Sequence, residues 1–449
     1  MLTHLHRYSH IARNFSTTVR VFVKLEAEIY EQIEKNELKP RKHPGILKRP
    51  VFSLPQDVMK AIDIVIGDTP RQMLIKEGYE FSRFLFSRKE PPEKDVILQK
   101  RQECHSEVVD TVAVNLNDMD ADEKKYYSQV IKTKVDILLK QRLYNWQKIE
   151  YARHKGLVYL FSRAAPEFAV LSQIFHEISL CHDFKPKTLF DFASGVGTVI
   201  WAANSIWPKT LKHIYTVDSS SDMNDLSYDI CALLKDKSLK DKIFQRQFLP
   251  ASMKENYDIV TCAYTLLELP SLTTRLETIL NLWQKTKHIL VLVEQGTNSG
   301  FKVLNEARDF ILGLNKENEQ YSSHILAPCP HDFPCPSANK NSVCRFEANY
   351  MSVKLSSRAQ GKEYYSYVVF AKGMREVNDK QWPRIISPVL VRSRHAICRL
   401  CTKFGTRQEV IISNGKHGKI THHCARSSSW GDRLPIELKP EEPKSESSS

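Results

Sequence analysis

Residues Lys187–Trp207 read KTLFDFASGVGTVIWAANSIW. Leu189-Phe190-Asp191-Phe192 is an apolar run of buried-strand length, and Ala193-Ser194-Gly195-Val196-Gly197 is a turn of small residues. Val199, Trp201, Ala202, Ala203 and Ile206 then recur at helical spacing. Strand, glycine turn and helix form a cradle for a nucleotide-type cofactor. The glycines admit a close backbone approach, and the N–H groups at the helix start face the ligand.

Working outward, strands are expected at Leu189–Phe192, Ile214–Val217, Ile243–Leu249, Tyr257–Ala263 and His288–Val293. Helices are expected between them, as at Leu226–Leu234 and Leu272–Gln284. Alternating strands and helices argue for a parallel sheet covered on both faces. Asp218 ends the second strand, 21 positions after Gly197, where a carboxylate can take ribose hydroxyls. Asp191, Gly195, Gly197 and Asp218 resemble motif I and the ribose acid of class I S-adenosylmethionine (SAM) methyltransferases. Ala193 stands where that pattern carries its first glycine. The resemblance implies an α/β, Rossmann-like sheet over residues 181–375, with Tyr364–Ala371 as its antiparallel final strand. Asp191, Ala193, Gly195, Gly197 and Asp218 are the candidate cofactor-binding residues.

The chain has 449 residues, room for two or three domains, and a formal charge of +13. That charge points to a polyanionic partner such as RNA or an acidic membrane. No apolar run approaches the roughly 20 residues needed to span a bilayer, so no stable membrane insertion is expected. Up to Leu25 there is no acid, while Arg7, Arg13, Arg20 and Lys24 alternate with Leu2, Leu5, Ile11 and Phe15. This is the composition of a mitochondrial targeting sequence, placed at residues 1–20, with Arg13-Asn14-Phe15-Ser16 as its processing site.

Residues 21–180 read as a helical N-terminal domain. A charged helix is expected from Phe22 to about Lys42, followed by helices at Val58–Ile66, Pro70–Phe86, Asp95–Asn115, Asp120–Ile149 and Tyr159–Ile178. No catalytic cluster is visible there, and the domain is read as a cover for the cofactor fold. The tail, residues 436–449, is rich in Pro, Glu, Lys and Ser and is expected to be disordered.

The acceptor side is less legible. Amino-group methyltransferases of this fold carry an Asn/Asp-Pro-Pro-Tyr/Phe loop after the fourth strand. Here the place reads Ala263-Tyr264-Thr265-Leu266-Leu267-Glu268-Leu269. Thr261-Cys262 echoes the cytosine-C5 enzymes, but inside an expected buried strand. Glu268 and Glu294 are possible bases at element ends. The catalytic residues are unassigned.

Ten cysteines occur. Cys104, Cys181, Cys231 and Cys262 lie in apolar or helical context and read as core residues. Cys329-Pro330-His331-Asp332-Phe333-Pro334-Cys335-Pro336 and Cys344 fall in a Pro-rich loop, 326–346, with no apolar periodicity; Cys398, Cys401 and Cys424 follow. Four thiolates suit tetrahedral zinc or an iron–sulfur cluster, and spacing alone favours zinc slightly. From Arg384 to Arg433 ten Lys/Arg face two acids, Glu409 and Asp432. These basic residues interleave with β-like runs, so residues 376–435 read as a basic, β-rich extension with an RNA-facing surface.

Taken together, His43-Pro44-Gly45, DFASGVGT, YDIVTCAYTLLELP, Val293–Thr297, CPHDFPCP and the closing Ala425–Asp432 resemble the family of mitochondrial small ribosomal subunit assembly methyltransferase-like proteins. The resemblance implies a mitochondrial matrix protein that binds small-subunit rRNA, meets ribosomal proteins on the assembling subunit and is required for mitochondrial translation. It also implies a [4Fe–4S] cluster in place of zinc, with Cys329, Cys335, Cys344 and Cys401 as ligands and Cys398 as an alternative to Cys401. Two function classes remain open. One is an rRNA methyltransferase that uses SAM. The other is a non-catalytic assembly factor built on the same fold.

Overall fold

The computed structural model describes residues 21–440 except 49, 113–119, 181–183, 249–254, 315–321, 339–341 and 354–359. The expected targeting segment, its processing site, Cys181, Leu249 and residues 441–449 of the expected tail therefore lie outside the described residues.

Strand β1 (Val21–Leu25) opens the chain and α1 (Ala27–Glu34) follows. The charged helix expected from Phe22 is thus shorter, and a strand precedes it. The cause is tertiary: β1 pairs antiparallel with β14 (Ile436–Pro440), Val21 opposite Pro440 and Leu25 opposite Ile436. Residues 436–440 are therefore a strand rather than the start of a disordered tail. Helices α2 (Gln56–Ile66), α3 (Arg71–Ser87), α4 (Lys94–Val112) and α5 (Ala121–Arg142) come next. A capping box at Asp120 and Glu123 starts α5. The α4–α5 pair packs on itself around Cys104, Val108, Ile131, Val135 and Leu139.

Helix α6 (Arg153–Ser179) differs from a covering helix. Most of its residues are buried, including Phe168, Leu171 and Phe175, so it is apolar nearly all round and sits inside the core. It leads into β2 (Thr188–Phe192), the glycine turn and α7 (Thr198–Ile206). The remaining core elements are β3 (His213–Val217), α8 (Ser221–Leu233), α9 (Lys237–Asp241), β4 (Ile243–Arg246), β5 (Tyr257–Ala263), α10 (Leu272–Lys285), β6 (Thr286–Gln295), α11 (Asn298–Leu314), β7 (Ser323–Ala327), β8 (Phe346–Met351) and β9 (Gln360–Lys372).

The sheet runs β4-β3-β2-β5-β6-β9-β7, and β8 also pairs with β9. Strands β2 to β6 are parallel, while β9 runs antiparallel to β6 and β7. This is the class I SAM-methyltransferase sheet, with its order reversing at β2. Apolar side chains fill both faces, around α6, α7 and α8 on one side and α10 and α11 on the other.

The last module contains β10 (Arg384–Ile385), β11 (Leu390–Val391), β12 (His395–Cys401), β13 (Arg407–Ser413) and α12 (Asn414–Ser427). Its core joins Ala396, Cys398, Leu400, Val410, Ile412 and Cys424 to Val23, Leu25, Ile29 and Ile33 from the opposite end of the chain.

Candidate cofactor cradle and cysteine loop

The glycine turn sits where the strand order reverses, the crevice in which open α/β sheets bind ligands. Ala193, Gly195 and Gly197 all have positive φ, at 56°, 54° and 93°. The left-handed backbone explains why glycine is preferred at each, and Ala193 bears a cost of about 1–2 kcal/mol there. At Gly197 a Cβ would lie 2.8 Å from Ser227 Oγ, so close packing of α7 on α8 excludes a side chain. At Gly195 the nearest atom to a Cβ is Met223 Cε, at 3.5 Å.

The Asp218 carboxylate holds this turn. Its Oδ2 accepts from Gly195 N–H at 2.8 Å and its Oδ1 from Ser220 N–H at 2.9 Å. Burial raises its pKa, and these two N–H groups oppose the rise. A carboxylate has about four acceptor sites, so lone pairs remain for ribose hydroxyls.

Asp191, at the end of β2, is buried; its Oδ1 accepts from Thr261 Oγ1–H at 2.7 Å. Its Oδ2 and Ser194 Oγ have no hydrogen-bond partner among the described residues. Burial pushes Asp191 up to about 8, against the Thr261 hydrogen bond. Two orphaned polar atoms beside a turn where only the flexible Met223 end approaches Gly195 fit a polar ligand such as the aminoacyl or ribosyl part of SAM.

The loop after β5, where amino-group enzymes of this fold carry their acceptor motif, is packed against buried side chains. Tyr264 has φ of 58° and a buried hydroxyl without a partner among the described residues. The Arg163 guanidinium lies 5.7 Å from the ring centroids of both Tyr264 and Phe86. It pairs with Glu363 at 2.7 Å and Glu167 at 3.3 Å, and Tyr159 donates to Glu167 at 2.6 Å. Burial holds Glu167 up at about 7 and Glu294 up at about 8. Glu268, half of the expected pair of bases, is tied to Arg88 at 3.4 Å. Cys262 is fully buried within β5, and burial raises its thiol pKa. The sequence reading missed Arg163. Its trace was there: Arg163 and Glu167 stand four apart within otherwise apolar LFSRAAPEFAVL.

The cysteine loop is an excursion between two strands that share one partner. Ala327 ends β7 opposite Val369, and Phe346 starts β8 opposite Tyr365. Both ends of the loop therefore return to the same stretch of β9, which brings Cys344 back toward Cys329. The thiol of Cys344 is pushed well up, first by burial and then by the charges of Cys329, Cys335 and Cys401. Cys401 is raised in the same way by burial, Cys329 and Cys335. Arg308 and Arg384 oppose the rise at Cys329 and Cys401, and Arg407 does so at Cys344. Cys398 points elsewhere, into the apolar core of the last module.

Protein contacts already tie this loop to the last module. Cys401 Sγ lies 3.3 Å from His331 Nε2. Gln381 Nε2–H donates to Pro330 O at 2.8 Å, Arg384 Nε–H to Pro328 O at 2.9 Å and Arg407 to Ser342 Oγ at 2.6 Å. Among the described residues no three His, Cys, Asp or Glu side chains are grouped so as to hold a metal ion. The four sulfurs are neighbours within one electrostatic environment.

The family described as mitochondrial small ribosomal subunit Rsm22 matches residues 153–435. The chain belongs to the Rsm22 family. It is 36% identical over 405 residues to the human ribosome assembly protein METTL17, mitochondrial, covering 88% of this chain and 86% of that one. The Rsm22-cox11 tandem protein 2 of Schizosaccharomyces pombe is 28% identical over 63% of this chain and 43% of its own. Ribosome assembly protein RSM22 of Saccharomyces cerevisiae is 22% identical over 42% of this chain and 45% of its own. Among solved structures, the Synechocystis magnesium protoporphyrin IX methyltransferase with bound SAM aligns over 52% of this chain and 89% of its own, at 13% identity and a TM-score of 0.31.

Two stretches that carried the resemblance meet in this Rsm22-family chain. Asp432 is buried, and its Oδ1 accepts from Leu47 and Lys48 N–H, both at 2.8 Å, while its Oδ2 accepts from Ser429 N–H at 2.7 Å. His43 Nε2 meets Ser428 Oγ at 2.9 Å, and Gly45 O accepts from Arg433 N–H at 2.8 Å. A Cβ at Gly45 would lie 1.9 Å from Arg433 O. His43-Pro44-Gly45 and Ser428–Arg433 are thus two halves of one clasp. Their chemistry is structural, and each half is unexplained without the other.

Proposed function

We propose that this chain is a mitochondrial assembly factor of the small ribosomal subunit that binds rRNA in the matrix and uses the methyltransferase fold as a scaffold. Its support comes from relatives whose names describe mitochondrial ribosome assembly, and from a charge of +13. The single observation that carries the scaffold reading is the buried Arg163 set. The loop after β5, where a methyl acceptor would enter, packs on Arg163, which pairs with Glu363 and Glu167 and lies over the Tyr264 ring. Opening it would strand buried charges, at a cost of about 3–5 kcal/mol. Among the described residues no helix is long and apolar enough to cross a membrane.

SAM would be held by Asp191, Ala193, Gly195, Gly197 and Asp218; when bound it supplies an electrophilic methyl group. In the alternative reading, an active rRNA methyltransferase, the orphaned Oδ2 of Asp191 and Ser194 Oγ belong to a working site. The cysteines Cys329, Cys335, Cys344 and Cys401 would hold a [4Fe–4S] cluster, or zinc on the same thiols. Arg308, Arg384 and Arg407 favour their thiolates and would balance an anionic centre. The donor chemistry fits. The grouping must tighten on binding, as metal-coupled folding requires.

The test is rescue of assembled small subunit in cells lacking the protein, using Gly195→Arg, with Gly195→Ala as the control for backbone strain. The arginine fills the cradle. Full rescue is expected. Failure of the arginine variant, folded and with normal iron content, while Gly195→Ala rescues, would overturn the scaffold reading in favour of SAM use.

A further inference from the structure

Two phenylalanines are exposed on either side of the junction between the cysteine loop and the last module. Phe333 is 59% exposed and Phe404 is 53% exposed. A ring in water loses the burial that makes aromatics useful to a core, so an exposed pair at one place points to a partner. The two belong to one spot. Gly405, next to Phe404, has φ of 69°, and a Cβ on it would stand 2.9 Å from Phe333 Cβ.

Their backbones are fixed. Phe404 sits in the tight turn between β12 and β13, where Thr402 N–H donates to Thr406 O at 2.9 Å and Gly405 N–H to Thr402 O at 3.1 Å. Phe333 O accepts from the buried Arg308 guanidinium, and the Phe333 ring lies at 29° to the His331 ring with centroids 6.2 Å apart. Rings held out on anchored backbone give up little conformational entropy when something stacks on them.

The charge here is positive. Lys403 Nζ lies 5.4 Å from the Phe404 ring centroid, and no carboxylate pairs with Lys403 among the described residues. The carboxylates in the neighbourhood are engaged: Asp332 with Arg375 at 3.2 Å and Glu409 with Arg399 at 2.8 Å. Flat apolar rings beside an unpaired cation match unpaired nucleobases with their phosphates, since every base has a face to stack and every link carries a charge. A duplex hides its base faces and offers the rings nothing.

We propose that Phe333 and Phe404 form a two-ring platform for unpaired bases of RNA, with Lys403 taking an adjoining phosphate. This rests on the RNA-binding reading above and narrows it to single-stranded segments, such as loops or unfolded stretches of an assembling subunit.

The experiment uses the full mature chain loaded with iron and sulfide. It measures binding of fluorescein-labelled single-stranded oligouridine and of a paired RNA duplex of equal length, across a salt series. Base stacking on an aromatic is worth a factor of about five to a hundredfold per ring. Phe333→Ala and Phe404→Ala should each weaken single-strand binding within that range, and the double variant by about 25-fold or more. Phe404→Trp should restore binding, and Phe404→Leu, apolar but unable to stack, should not. Duplex binding and melting temperature should stay as in the wild type. Lys403→Ala should lower the slope of log affinity for the single strand against log salt by about 0.7, and the Phe variants should leave it unchanged.

If the wild type binds single-stranded RNA and the double Phe variant binds it equally well, the platform is refuted while the RNA reading stands. Unchanged RNA affinity with lost sedimentation on the small subunit would assign the rings to a protein partner and refute it too. A wild type that binds neither probe overturns the RNA reading itself, and the platform with it.

Discussion

Asp432→Ala tests the clasp that joins the two ends of the chain. The carboxylate is buried and accepts three backbone N–H groups, from Leu47, Lys48 and Ser429, at 2.7–2.8 Å. Bonds to a charged acceptor contribute about 1.5–3 kcal/mol each, so their gross sum is roughly 4–9 kcal/mol. Burial raises the pKa of Asp432, and removing the charge recovers part of that cost. Lys48 is only partly buried, so water replaces one bond. A net loss of about 3–5 kcal/mol remains, a large share of typical domain stability. Urea denaturation with far-ultraviolet circular dichroism reads it directly. The last module and β1 share one small apolar core, so they should melt first, as a separate transition at low urea. Asp432→Asn should lose about half as much. Its one amide oxygen can keep Leu47 and Lys48, but its NH2 then faces Ser429 N–H. Gly45→Ala, with a Cβ at 1.9 Å from Arg433 O, should reproduce the early transition. A change below about 1 kcal/mol for Asp432→Ala, with a single unchanged transition, would refute the clasp.

Asp191 and Glu294, each held up at about 8, and Glu167, at about 7, keep protons in the folded chain that the unfolded chain releases near 4. Stability should therefore fall as pH rises from about 4 to about 8, and Asp191→Asn should flatten the fall; a urea midpoint that climbs across this interval would contradict it. Arg163→Met leaves Glu363 and Glu167 buried without their cation and should cost about 3–5 kcal/mol, part of it recovered by adding Glu363→Gln; an additive double variant would show that the pair is not coupled. Cys335→Ser should abolish bound iron and sulfide, whereas Cys398→Ser should retain both, since Cys398 lies in the apolar core; equal iron content in the two variants would exclude the proposed ligand set.

How much the sequence carried depended on how local each feature is. The strand before Ala193, the positive-φ glycines and the acid at Asp218 act within one βαβ unit, so neighbouring residues encode them fully. The apolar periodicity of α2 and α3 likewise placed those helices within a residue or two. Strands β7 and β8 escaped notice: Ser323–Ala327 and Phe346–Met351 are short, and pairing with β9 rather than pattern strength makes them strands. The Glu-, Lys- and Pro-containing run at Ile436–Pro440 reads as tail until β1 lies beside it.

By itself, then, the sequence determined the class I sheet, its cradle and the concentration of thiols and positive charge toward the C-terminus. Only tertiary structure decided which distant pieces meet. Leu47 and Asp432 stand 385 positions apart, and neither carries any mark of the other. The same holds for Cys401, which faces His331 while Cys398, on the same strand, faces the core: strand alternation sends them to opposite sides, but the packing of α12 fixes which side is buried. Arg163 is legible as an odd charge in an apolar helix, yet its buried contacts exist only because Glu363 arrives on β9 and Tyr264 in the turn after β5. A backbone turn is set by the residues within it, whereas a buried polar contact is set by both partners and by the core that keeps water from them.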